Sequence, residues 1–296
     1  MIGRVLRPGD LLDHAQYAMA APAEALRPWI ERYWSVTWDL GPDERYLATT
    51  VSEPAVNLTS EWGDLDRAGT TGPGLWVTGP VTRTRFDVGL VGTGGVVGVK
   101  FRLGGTCAFS SGRPAGVRDT TVPASRWFPG IDGELKVPAD LTSAAEVVDR
   151  WLLALAPELT EGYERVRRAL SIMADSSTTS LRELAGRMAL SERSLQRLFL
   201  DHCGVGVKRI LVRARVSDAV AALDRGWEGS LGELATELGW FDQSHFTADF
   251  LRVTGCRPTE YIADADRRRG DAARRRADPD PGGERAIRGA VSPDLG

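Results

Sequence analysis

The period of the hydrophobic pattern changes about halfway along the chain. Up to residue ~135, short apolar runs are cut by Gly, Pro and Asp: RYWSVTWDL (32–40), AVNLTSEW (55–62), LWVTGPV (75–81), TRFDVGLV (84–91) and VVGVKFRL (96–103). Runs of this length and composition predict strands. The GTGG at 92–95 reads as a hairpin turn between the last two. Strands at regular spacing favour a barrel or sandwich over a parallel sheet. PAEALRPWIERYW (22–34) reads as a short helix running into the first strand.

After Pro138 the period becomes helical. Ser143 and Glu146 form an S-x-x-E capping box ahead of Val147, Val148, Trp151, Leu152 and Leu155, and Pro157 ends that helix. A second helix, roughly 160–174, carries Tyr163, Val166, Leu170 and Met173 on one stripe. Residues 266–296 hold almost no large apolar side chains and are expected to be a disordered tail, because they cannot offset the entropy of ordering. The expected class is therefore α+β: a β-rich domain over 1–135, a helical linker over 136–159, and an all-α domain over 160–265.

The all-α segment contains a repeat. Ser180-Leu-Arg-Glu-Leu-Ala matches Ser230-Leu-Gly-Glu-Leu-Ala, and each opens with a capping box, Ser180 with Glu183 and Ser230 with Glu233. Met188 corresponds to Leu238. After a one-residue difference in the turn, Leu195 corresponds to Phe246, Phe199 to Phe250 and Gly204 to Gly255. Each copy is a short helix, a tight turn and a second helix capped by Ser191 or Asp242, which is the helix-turn-helix plan. VKRILVRARVSDAVAAL (207–223) between them reads as one helix of ~25 Å, a strut able to set two recognition helices about one DNA turn apart.

The second helix of each copy leaves a polar row opposite its apolar face. In the first copy that row is Arg193, Gln196 and Arg197; in the second it is Gln243, Ser244, His245 and Thr247. Arg can donate two hydrogen bonds to guanine, and Gln can pair with both edge atoms of adenine. Such rows are also ordinary solvated surface, and charge decides between the readings. The net charge of −3 argues against a nucleic-acid binder, but its distribution is uneven. From Thr179 to Arg215, eight basic residues face three acids; from Val216 to Ala265, three basic residues face nine acids.

The length of 296 residues suffices for two domains with separate cores. No apolar run approaches ~20 residues and the first residues lack a signal-peptide core, so a cytoplasmic protein with no membrane partner is expected. Cys107, Cys203 and Cys256 are odd in number and widely separated, against a disulfide framework. His14 is the only histidine before residue 202, so neither a metal site nor another cofactor is expected in the β-rich part. Trp29, Trp34, Trp38, Trp62 and Trp76 could line an apolar pocket or simply form core.

Residues 160–265 resemble the DNA-binding module of the AraC/XylS transcription regulators, most closely in GWFDQSHFTADFLRVTGCRPTEY (239–261). The resemblance implies two recognition helices in successive major grooves. Arg193, Gln196 and Arg197 would serve the first, and Gln243, Ser244, His245 and Thr247 the second. Ala248 and Leu251 stand where the family usually carries basic residues, and Asp249 lies between them, which implies a weaker second reader. The N-terminal region is similar in architecture to the cupin-like sensor domains often fused to this module. The partners implied are double-stranded DNA, a small-molecule effector, RNA polymerase and a second copy of the chain.

Two other readings compete. The β-rich domain could bind a protein rather than a small molecule. The chain could also be a DNA alkyl-transfer repair enzyme, but that chemistry needs an activated thiolate, and Cys107 has no Cys or His neighbour in sequence.

Overall fold

The computed structural model describes residues 8–51, 54–82, 85–110, 112–174, 180–264 and 267. The tail expected over 266–296 falls outside the described residues, Arg267 excepted. The fold is α+β, an antiparallel sheet domain followed by helices. Its strands are β1 (Ala15–Ala20), β2 (Ile30–Asp39), β3 (Arg45–Val51), β4 (Asn57–Asp66), β5 (Gly74–Thr78), β6 (Arg85–Phe101) and β7 (Thr121–Pro123). They pair in the order β1-β2-β6-β4-β5-β7, with β3 on the N-terminal half of β6. The helix expected within 22–34 is one 3-10 turn, Glu24–Leu26, before β2.

The GTGG segment is not a hairpin turn. It lies inside β6, which runs unbroken through 17 residues and pairs with β2 and β4 at once. The glycines serve tryptophans instead. A Cβ would stand 2.5 Å from the Trp38 indole at Gly94, 2.1 Å from Trp62 at Gly95 and 2.2 Å from Trp34 at Gly98. Each indole lies against a glycine of the neighbouring strand, where no side chain keeps it away. The register puts Trp34, Trp38 and Trp76 on one face of the sheet and Trp62 on the other. Trp62 therefore cannot share a pocket with the other three.

The helices include α1 (Pro8–His14), α2 (Ile131–Glu134), α3 (Leu141–Ala154), α4 (Glu161–Ala174), α5 (Leu181–Arg187), α6 (Glu192–Cys203), α7 (Val207–Asp224), α8 (Leu231–Glu237) and α9 (Gln243–Thr254), and residues 258–264 are helical as well. The α3 cap differs from the expected capping box: Asp140 accepts from the Ser143 amide at 2.8 Å, placing Ser143 inside the first turn. An acid three residues earlier is the better N-cap, and Ser143 becomes the amide donor.

Asp149 of α3 accepts from the Ala23 amide and from the Tyr33 hydroxyl, at 3.1 and 2.5 Å. Tyr163 of α4 donates to the Pro28 carbonyl at 2.7 Å. One buried apolar cluster runs from Leu26 and Phe101 in the sheet domain through Val148, Val166 and Phe199 to Leu211 in α7. A second, smaller cluster holds Val216, Ala219, Leu223, Leu234, Ala235, Trp240, Phe246 and Phe250.

Candidate nucleic-acid interface

The helix-turn-helix plan is present twice. In the first unit, Ser180 accepts from the Glu183 amide at the start of α5, and Ser191 accepts from the Ser194 amide at the start of α6. Leu195, Phe199 and Cys203 are buried, and Gly204 ends α6 in the left-handed conformation with φ 70°. In the second unit, Ser230 and Glu233 form a complete capping box on α8, and Asp242 accepts from the His245 amide at 2.7 Å on α9. Phe246 and Phe250 are buried, and Gly255 ends α9 with φ 81°. The strut α7 joins them as 18 continuous residues, about 27 Å at 1.5 Å each.

The residues of the two polar rows point outward to different degrees. Arg193 and Arg197 are exposed and Gln196 is half-buried on α6. Gln243, Ser244 and His245 are exposed and Thr247 is half-buried on α9. His245 sits in the first turn of its helix with Nε2 3.6 Å from an Asp249 carboxylate oxygen. On each helix the buried positions lie three or four residues apart, which is why the intervening polar ones share the outer surface.

Three charges counted from the sequence turn inward. Asp249 is buried, accepts from Trp240 Nε1 at 2.9 Å and pairs with Arg252 at 2.8 Å. It is a structural acid of the second unit rather than an acidic group facing a ligand. Arg215 of α7 stacks 4.8 Å from the Trp240 ring centroid and donates to the Gly239 carbonyl at 2.8 Å. Burial lowers the Arg215 pKa, and the nearby Asp249 charge opposes that shift. Arg213 is buried as well. The contrast between a basic first segment and an acidic second one persists, but it is smaller at the surface than in the sequence. The Asp249 role depends on Trp240, nine residues away; an acid flanked by His245 and Arg252 at helical spacing is the only local signal.

The sheet domain grips the first unit directly. Arg118 Nε donates to the Gly204 carbonyl at 3.0 Å, the Cys107 thiol donates to the His202 carbonyl at 3.5 Å, and Arg209 donates to the Thr82 carbonyl at 2.7 Å. Burial pushes the Cys107 thiol up to about 11, the opposite direction from an activated thiolate.

Comparison with known proteins agrees with this geometry. Residues 184–264 match a helix-turn-helix domain family, and residues 18–123 match a domain of unknown function, DUF6597. An uncharacterized HTH-type transcriptional regulator of Escherichia coli K12, YidL, is 32% identical over 94 residues, 32% of this chain and 31% of that protein. The HTH-type transcriptional activator RhaR of Yersinia pseudotuberculosis is 35% identical over 72 residues, 24% of each chain. The match thus spans about a third or less of these relatives' length. The solved structure of ToxT from Vibrio cholerae aligns with 78% of this chain and 98% of its own, at 10% identity and a TM-score of 0.39. Among the described residues, no helix is long and apolar enough to cross a membrane. Residues 184–264 thus form an AraC-type helix-turn-helix domain like those of proteins named as HTH-type transcriptional regulators.

Proposed function

We propose that the protein is a sequence-specific DNA-binding transcription regulator, read out through α6 and α9 and controlled by a small molecule acting on the sheet domain. The observation that carries this reading is the pair of capped helix-turn-helix units on one continuous strut, each with its polar row outside. Arg193, Gln196 and Arg197 supply guanine- and adenine-matching donors and acceptors to one groove. Gln243, Ser244, His245 and Thr247 serve the next groove, with α9 fixing register.

The bonds from Arg118 to Gly204 and from Arg209 to Thr82 support control by the sheet domain, because a shift there reaches the end of α6 and the start of α7. RNA polymerase and a second copy of the chain fit the same role as further partners, and the cytoplasm is its natural location. An elevated Cys107 pKa supports the non-enzymatic reading over alkyl transfer.

The test is binding of the full chain to duplex DNA across a salt series. Affinity should fall steeply as salt rises, since phosphate contacts release counterions. A flat response between low and moderate salt would overturn the reading. Effector control is tested by repeating the measurement with candidate metabolites, and it fails if none that raises the melting midpoint alters DNA affinity.

A further inference from the structure

The two helix-turn-helix units differ by one residue in the turn, and the backbone identifies that residue. The amides of Leu190 and Trp240 close the two turns alike, each donating to the carbonyl of an alanine five residues earlier, Ala185 at 3.0 Å and Ala235 at 2.8 Å. In the first unit the next residue, Ser191, is already the N-cap of α6. In the second unit Phe241 intervenes before the N-cap Asp242.

Both neighbours of Phe241 are committed. Trp240 is buried and bonded to Asp249, and Asp242 holds the His245 amide. The residue between them is pushed outward, and Phe241 is 92% exposed, far more than any other large apolar residue described. The turn does not require an aromatic there, since its backbone φ is not positive and its ring packs on nothing inside the unit. A single exposed apolar residue is ordinary on a surface; what distinguishes Phe241 is a near-fully exposed aromatic ring beside the first residues of α9, free to contact whatever that helix end meets.

Its position indicates the partner. Phe241 stands just ahead of Gln243 and Ser244, the first residues of α9. In helix-turn-helix docking the N-terminal residues of the recognition helix meet the base edges. The apolar feature that a base pair presents in the major groove is the thymine C5-methyl group. The second row also lacks the guanidinium groups of the first, so apolar contact would supply discrimination that its short polar side chains do not.

We propose that Phe241 is a specificity-determining contact of the second reader, its ring covering a thymine methyl group at the edge of that reader's half-site. This rests on the DNA-reading function proposed above.

The test begins by selecting binding duplexes from a random pool with the full chain. Each thymine of a selected duplex is then replaced singly by deoxyuridine, which removes the methyl group and nothing else. One such replacement in the second half-site should weaken wild-type binding about fourfold, the value of one buried methyl-sized group. The same replacement should leave Phe241→Ala unaffected, with this variant already binding the parent duplex roughly tenfold more weakly. Phe241→Leu should keep part of the thymine preference. The melting midpoint of Phe241→Ala should equal that of wild type, because the ring supports no core.

Equal deoxyuridine penalties in wild type and Phe241→Ala would overturn the proposal, as would unchanged affinity of the variant. If Phe241→Ala binds normally but fails to support transcription by purified RNA polymerase, the residue belongs to a polymerase contact and the DNA contact is refuted. Failure of the wild-type chain to enrich any duplex would remove the DNA-reading function itself, an outcome distinct from the loss of this contact alone.

Discussion

The two helix-turn-helix units share one plan and differ in what holds them. The first contributes Leu184, Leu195, Phe199 and Cys203 to the same apolar cluster that holds Leu26, Ile30, Val77 and Phe101 of the sheet domain. The second closes a small core of its own around Trp240, Phe246 and Phe250, attached through α7. Near-identical local signals thus produce one unit that shares the sheet domain's core and one that closes its own core on α7. Tertiary packing, not the motif, decides which is which. A change in the sheet domain would therefore reach α6 through a shared core, whereas α9 shares its core with α7.

The largest expected effect separates the two cores. Phe250→Ala should cost about 3–5 kcal/mol, the usual loss for a buried phenylalanine, and the loss should stay within the second unit. Hydrogen exchange should show protection falling across 216–262 while the sheet strands keep theirs. Phe199→Ala, of similar cost, should instead lower protection in both the first unit and the sheet. Protection lost over the whole chain in Phe250→Ala would mean that the two cores unfold as one.

A smaller effect sharpens the same contrast at the helix ends. Gly204 has φ 70°, and a Cβ there would stand 2.6 Å from the Ala115 backbone nitrogen. Gly204→Ala should cost about 1–2 kcal/mol for the left-handed conformation alone, plus the displacement of segment 114–118. Gly255→Ala carries the same backbone penalty in the second unit. Calorimetry combined with exchange should show Gly204→Ala loosening the sheet domain's grip and Gly255→Ala leaving it unchanged. Identical patterns in the two variants would contradict the clamp.

The smallest effect concerns reading. Arg197→Ala should cost ~1–3 kcal/mol of base discrimination and relax sequence preference in one half of the site. Thr247→Ala should cost less, since a half-buried hydroxyl offers weaker selectivity. A panel of single-base operator variants at fixed salt decides this. A larger loss from Thr247→Ala would invert the ranking.

What the sequence disclosed follows from the range of each interaction. The caps Ser180, Ser191, Ser230 and Asp242 were legible because each bonds an amide three residues ahead. The break at 92–95 misled because glycine marks a turn and a close approach with the same letter; the partners that settle it, Trp38 and Trp62, come from other strands. β1 and β3 escaped because AQYAMA and RYLATTV lack a strong apolar alternation and depend on pairing with β2 and β6. Arg215 counted toward the basic segment and Asp249 toward a weaker second reader, and only the fold reveals that both serve Trp240.

The most direct test of the two-reader account is base-resolution footprinting of the full chain on a selected duplex, with methylation interference at guanine N7 marking major-groove contacts. Two protected major-groove segments should appear on one face of the duplex, centred about 10–10.5 base pairs apart. Alanine at both Arg193 and Arg197 should erase one segment and leave residual protection of the other. A single protected groove, or the loss of both segments in Gln243→Ala while the arginine variant binds normally, would contradict the account.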